Sequence, residues 1–374
     1  MQPIIKEVTT LKDLRTFVRF PRQLYKDNPY YVPALFADDY STLRRDRNPA
    51  FEHCEARYWL AYQDGQVVGR VAGIVNKLYK QSWGVNYGRF NWIDFIDDPD
   101  VSRALLETVE AWVKGFHVEA IHGPLGFTDM DREGMLIEGF DQLSTMVTFY
   151  NHPYYREHLE RLGYAKAIDW VEYEITVPAE PVEAISRVAE AAKQRSNLHI
   201  LKVKHKKDML KYAGQMFAVF NEAYRNLYGV VPLTDKQVAM AVKQYFGLVL
   251  PEFVPFVIND QDELVGFGIT MPSLSLALQK SGGELFPFGF IHLLKALKQN
   301  DRADLYLIGV RDGYRGKGVN AILMDHILKT YQRRGITKVE SNPELETNDL
   351  VQSQWKYFEK RQHKRRRVFI KNLG

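Results

Sequence analysis

The sequence predicts an α/β fold of mixed (α+β) sheets, arranged as two tandem halves. Three observations lead there. Two β-hairpin patterns, at 57–75 and 253–269, are each followed by a strand and then by a helix with apolar residues at helical spacing. The order of elements recurs at a spacing of about 200 residues, which is duplication of a domain and not a solenoid repeat. Between the copies, Pro178, Ala179, Glu180 and Pro181 read as a linker, dividing the chain into 1–177 and 178–374.

Composition bounds the rest. At 374 residues with 45% hydrophobic and 26% charged, the chain is globular and long enough for two domains. A net charge of +4 gives no warrant for nucleic acid as the main partner. The single cysteine, Cys54, excludes an intramolecular disulfide framework and cannot by itself build a zinc site. No metal is expected, and a reduced, cytoplasmic compartment is. The first residues carry no signal-peptide h-region, and no run approaches the length of a spanning helix.

In the first half, residues 10–48 read as basic, aromatic surface helices pinned onto a sheet. Strands at 57–62 and 67–75 flank Asp64-Gly65, a strong hairpin signal. A third strand is expected at 88–94. The helix after it carries Val101, Leu105, Leu106, Val109, Trp112, Val113 and Phe116 on one face. The intervening turn, Asp97-Asp98-Pro99-Asp100, is acidic and would repel a phosphate. A short strand at 120–124, a loop rich in glycine and acidic residues through Asp141, a helix at 151–164 and a strand at 170–175 complete this half.

In the second half a helix is expected at 183–194, a strand at 199–203 and a helix at 209–228. The hairpin follows, and then the stretch on which function turns. Residues 304–310 alternate as a buried strand ending Ile308, Gly309, Val310. A turn with Arg315, Gly316, Lys317 and Gly318 comes next, and from Val319 the apolar residues recur at helical spacing. Strand, basic glycine turn, helix is an arrangement that cradles phosphate. Glycines let the backbone approach an anion, and the first N–H groups of the helix point at it. A Walker loop is excluded by spacing. A dinucleotide fingerprint survives formally as Gly316, Gly318 and Ala321, but it lies too late in the chain to be wound into a six-stranded sheet.

Arg315, Gly318 and Asn320 occupy the three defining places of Gln/Arg-x-x-Gly-x-Gly/Ala, so the loop resembles the coenzyme A pyrophosphate loop of the GNAT superfamily of N-acyltransferases. Asn320 departs from the pattern, where Gly or Ala is usual. The resemblance implies two tandem GNAT-like domains, the first without the cofactor loop. It implies acyl-CoA (acetyl-CoA or a longer thioester) held by Ile308, Gly309, Val310, Arg315, Gly316, Lys317, Gly318, Val319 and Asn320. The activity it implies is N-acyl transfer, in the first place N-acetyl transfer, to an amine, either a small molecule or a lipid. A backbone N–H within 308–310 would meet the thioester carbonyl. Asn348 opens the closing helix, Tyr357 on that helix is the candidate acid, and Glu340 is a candidate proton relay. Glu344 is a further carboxylate that could relay a proton. A degenerate fold that senses CoA or binds a partner is the alternative from another class.

Two segments stay open. Residues 356–371 carry eight cations against Glu359 and read as a final strand with outward basic residues, some of them within reach of the cofactor's phosphates. Residues 285–298 are apolar with cations at the end. They read as a core-facing insertion, a wall for a long acyl chain, or an interfacial helix making peripheral membrane contact.

Overall fold

The computed structural model describes residues 2–203 and 205–374. Its strands are β1 (Ile4–Glu7), β2 (Cys54–Gln63), β3 (Gln66–Asn76), β4 (Tyr87–Phe95), β5 (Ala120–Gly123), β6 (Met135–Glu138) and β7 (Ala165–Thr176) in the first half. The second half has β8 (His199–Ile200), β9 (Phe256–Ile258), β10 (Leu264–Pro272), β11 (Arg302–Val310), β12 (Lys338–Glu340), β13 (Glu344–Leu345) and β14 (Lys360–Asn372). All belong to one sheet, in the order β1-β2-β3-β4-β5-β14-β7-β12-β11-β10-β9-β8, with β13 on β7 and β6 on β14.

The two halves are built alike. In each, a hairpin leads to a strand, a crossover helix and a parallel strand. Among the described residues the parallel pairs are β4 with β5 and β11 with β12. The crossover helices are Pro99–Lys114 and Val319–Arg334. The first buries Val101, Leu105, Leu106, Val109 and Val113, the stripe expected from its spacing. The second lies so close to β10 that a Cβ on Gly266 would stand 2.5 Å from Val319 Cγ1.

The halves are not separable along the sheet. β14, the last strand of the chain, lies between β5 and β7 of the first half, and β7 lies between β14 and β12. Each half thus borrows the other's closing strand, and the sheet runs unbroken past the division expected at 177/178. The basic tail is corrected accordingly. Its cations were expected to face outward, but Lys364 and Arg366 are among the most buried side chains. Lys364 stands directly opposite Glu172 of β7 and pairs with it at 3.1 Å; Arg366 Nε pairs with the same carboxylate. Flanking cations are matched too, Arg367 with Asp169 at 2.8 Å and Arg361 with Glu174 at 3.5 Å. The tail is a central strand because β7 supplies a row of carboxylates along it.

Three elements differ from expectation. The stretch 209–228 splits into a 3-10 turn (Lys206–Tyr212) and a helix, Ala213–Tyr224. The closing helix from Asn348 is a single α-turn, Asp349–Gln352, continued by a 3-10 turn, Ser353–Tyr357. The strand at 199–203 is only two residues long.

Candidate active site

β11 and β12 pair only over Arg302–Asp304 and Lys338–Glu340. Beyond that they splay. Tyr306 makes the splay possible: the register with β10 passes from Ile269 opposite Leu307 to Thr270 opposite Leu305, leaving Tyr306 as a bulge. The opening leads into a cavity of about 930 Å3 whose walls are mostly apolar. On one side stand Ile308, Gly309, Val310, Arg315, Gly316, Gly318, Val319 and Asn320. The far wall comes from the helices Ala213–Tyr224 and Asp235–Tyr245, with Met216, Phe217, Val242 and Tyr245 among the lining residues.

The glycine turn is open to an anion. Gly316 and Gly318 both adopt positive φ (74° and 82°), and a Cβ on Gly318 would also meet Ala192 Cβ at 2.6 Å. Gly318 is the N-cap of Val319–Arg334 and brings no side chain to its first N–H groups. The equivalent turn in the first half is closed, because Asp98 accepts the Asp100 N–H at 2.8 Å and caps its own helix. Arg315 is half-exposed and held by Asp312 at 3.0 Å; Arg225 pins the same carboxylate at 2.7 Å. Lys317 points elsewhere, its ammonium 4.9 Å from the Tyr314 ring centroid.

The polar groups that line the cavity differ in part from those expected. Tyr357 is exposed, with the Lys356 ammonium over its ring, and lies outside the cavity lining. Breaking the closing helix into a 3-10 turn rotates it outward. Glu340 also lies outside, its carboxylate taken by His363 at 2.8 Å and Lys364 at 3.0 Å. A slip in the β14 register at His363 brings both cations to it. Asn348 does line the cavity, and caps the short helix through its side chain.

The cavity is lined instead by Tyr224, and by Glu344, the further carboxylate named from the sequence. The Tyr224 hydroxyl donates to the Ile308 C=O at 3.1 Å and accepts its N–H at 3.3 Å. Burial raises its pKa, and the charges of Glu344 and Asp129 add to that, so the phenol is neutral. Glu344, on β13, takes the Trp355 indole N–H on both oxygens at 2.9 and 3.1 Å. Burial pushes it up to about 7 against that hydrogen bond.

The first half closes the cavity with Asp129, Asp131 and Glu133. Burial pushes Asp129 and Asp131 up to about 6, and Glu133 is raised further, by burial and then by Asp129. The acidic composition of this loop was visible in the sequence; its contact with the other half was not.

Comparison with known proteins agrees with this architecture. Residues 215–361 match the family model for the acetyltransferase (GNAT) family. The whole chain superposes on a tandem GNAT protein from the clavulanic acid biosynthesis pathway, with TM-score 0.57, 12% identity and 99% of each chain covered. A GCN5-related N-acetyltransferase from Sphaerobacter thermophilus is similar at TM-score 0.53 and 12% identity, covering 99% of this chain and 96% of that one. The chain thus has the fold of the tandem GNAT proteins, and its residues 215–361 match the acetyltransferase (GNAT) family. Among curated proteins it is 29% identical to Protein YghO of Escherichia coli (strain K12) over 381 residues, 100% of this chain and 96% of the other. It is 27% identical to the bacterial ceramide synthase of Caulobacter vibrioides over 317 residues, 82% of this chain and 80% of that one.

Proposed function

We propose that the chain transfers a long acyl group from a CoA thioester to the amine of a lipid-like acceptor. The observation that carries this reading is the cavity. At about 930 Å3 it lies near the top of the range, roughly 300–1,000 Å3, that holds drug-sized ligands, and its apolar walls run on past the phosphate cradle. An acetyl group leaves most of that space without a partner. The similarity to a protein named as a ceramide synthase supports the same reading, since ceramide is a long-chain amino alcohol acylated on nitrogen.

The residues fit the cofactor. Gly316 and Gly318 leave room for a pyrophosphate against uncapped N–H groups, and Arg315 adds charge beside it. Bound there, acyl-CoA supplies the activated acyl group. In the net reaction the amine nitrogen bonds the acyl carbon, the C–S bond breaks, and the amine's proton ends on the thiol. Glu344, poised near neutrality and facing the cavity, takes the proton from the incoming ammonium. Tyr224, neutral and seated on the open edge of β11, turns its single O–H from the Ile308 carbonyl to the leaving sulfur. Asp129 and Glu133 at the acceptor end favour a cationic amine over a neutral alcohol whenever ionised.

The test is calorimetric titration with acetyl-CoA, palmitoyl-CoA and free CoA, followed by mass spectrometry of products formed with a long-chain amino alcohol. Tighter binding of palmitoyl-CoA and an amide product are expected. Preference for acetyl-CoA overturns the chain length, and no binding by any of the three overturns the enzyme reading.

A further inference from the structure

The segment left open in the sequence, 285–298, is exposed where it is most apolar. Among the described residues, six of the twelve exposed large apolar side chains lie between 276 and 294: Leu276, Phe286, Phe288, Phe290, Ile291 and Leu294. Phe286 and Phe288 are 80% and 70% exposed, which excludes a core-facing role for that tip. Exposing two phenylalanines side by side costs hydration free energy that a monomeric surface ordinarily avoids.

The helix Gly289–Lys298 is two-faced. Leu293 and Leu297 are buried and pack in one cluster with Met271, Met146, Leu248 and Tyr306, residues that also line the cavity. On the outer face two ridges run along the helix. Phe290, Leu294 and Lys298 follow one another at i, i+4, i+8, and Ile291 and Lys295 at i, i+4. Each ridge is apolar first and cationic at its end. Lys280 is exposed on the neighbouring helix, Ser275–Ser281. Among the described residues none of these three lysines has an ion-pair partner, whereas the nearby Glu284 is held by Arg19 (3.3 Å) and Arg22 (2.8 Å). The patch is therefore apolar at its centre and positive at its rim.

We propose that this face docks on an anionic lipid bilayer, with Phe286, Phe288 and Leu294 entering the interface and Lys280, Lys295 and Lys298 meeting the head groups. Apolar burial and attraction to anionic lipid are the two contributions that hold interfacial helices. Among the described residues no helix is long and apolar enough to cross a membrane. Exposure and charge alone define this surface. Its service to catalysis, delivering a membrane-resident amine to the cavity on the helix's other side, rests on the lipid-acceptor reading.

The experiment is co-sedimentation of the full chain with phosphatidylcholine vesicles, with and without phosphatidylglycerol, alongside F286E/F288E and K295E/K298E. Binding to phosphatidylglycerol vesicles is expected, weakening as salt is raised. F286E/F288E should lower it by about tenfold or more, as removal of two aromatic side chains from an apolar phase predicts. K295E/K298E should remove the preference for anionic lipid. Calorimetric acyl-CoA binding without vesicles should stay unchanged in both variants, showing that they fold. No partition into phosphatidylglycerol vesicles, or partition unaffected by F286E/F288E, overturns the proposal. So does a chain that sedimentation velocity shows as a dimer and F286E/F288E makes monomeric, since a second copy then covers the face. Vesicle binding without acyl-CoA binding would leave this surface standing and remove the acyltransferase reading.

Discussion

Tyr224 holds both backbone polar groups of Ile308, its hydroxyl 3.3 Å from the N–H and 3.1 Å from the C=O. Those groups point away from β10 into the space that β12 vacates by splaying. A side chain from the helix Ala213–Tyr224 thus satisfies part of the β11 edge that β12 leaves unpaired. Tyr224→Phe removes the hydroxyl and little volume. Transfer should fall by about tenfold or more in kcat, the ordinary scale for losing a positioned proton donor, while palmitoyl-CoA Kd changes little. Equal losses in Kd and kcat would make Tyr224 a packing residue.

The phosphate cradle depends on backbone shape and on one cation. Gly318→Val places a branched side chain at φ 82° and against Ala192, so the turn must rearrange. Arg315→Glu reverses the charge without that strain. Both should weaken CoA binding in calorimetry, Arg315→Glu by about 10- to 100-fold if a charge-assisted hydrogen bond of roughly 1.5–3 kcal/mol is lost. Lys317→Glu, on a side chain turned toward Tyr314, should have the smaller effect.

Glu344 sets a pH dependence. With its pKa raised to about 7, the carboxylate is mostly protonated at pH 6 and ionised at pH 8. kcat/KM should therefore rise with pH through about 7, and Glu344→Gln should flatten that limb and lower the plateau. The stability effect has the opposite sense. The folded state holds this proton more tightly than the unfolded one, so its contribution is present at low pH and is lost as pH rises from the ordinary glutamate range through about 7. Urea titrations at pH 5 and 8 on the two proteins would measure it.

The buried charges at the junction of the halves should behave as one unit. Lys364 and Arg366 both sit on Glu172, with none of the three side chains exposed. Burial raises the Glu172 pKa, but the two cations outweigh it and hold the carboxyl below its ordinary value. Glu172→Gln leaves the buried Arg366 without its carboxylate and Lys364 with Glu340 as its remaining one, and should cost about 3–5 kcal/mol in denaturant unfolding. Because the folded pKa is depressed, the stabilisation by these three groups is present above the unfolded glutamate range and is lost as pH falls through the folded value.

Strand exchange makes a prediction about the halves themselves. Fragments 1–177 and 178–374 each lack the strand that fills the place beside their own closing strand. Expressed alone, each exposes two long unpaired edges and should aggregate. Expressed together, they should co-purify as a soluble pair. A soluble, monomeric, cooperatively unfolding 1–177 would refute this.

Much of what rests on short-range order was fixed within single windows of the chain. The hairpin at Asp64-Gly65, the apolar stripe of Pro99–Lys114, and the strand, glycine turn and helix through Val319 were all legible, because turn chemistry and periodicity act within a few residues. So was the contrast between the acidic turn at 97–100 and the basic one at 315–318. Only the tertiary structure decided what depends on distant partners. Residues 356–371 looked like a solvated basic strand, because nothing local announces that Asp169, Glu172 and Glu174 run beside them. Tyr357 and Glu340 hold the right places in a linear pattern, but a helix that breaks turns the first outward and two cations from β14 occupy the second. Tyr224 and the acidic loop at 129–133 enter the cavity from elements remote in sequence. Register between distant strands is set by the sum of side-chain pairings along them, and a chain read one window at a time contains the pairs but not their meeting.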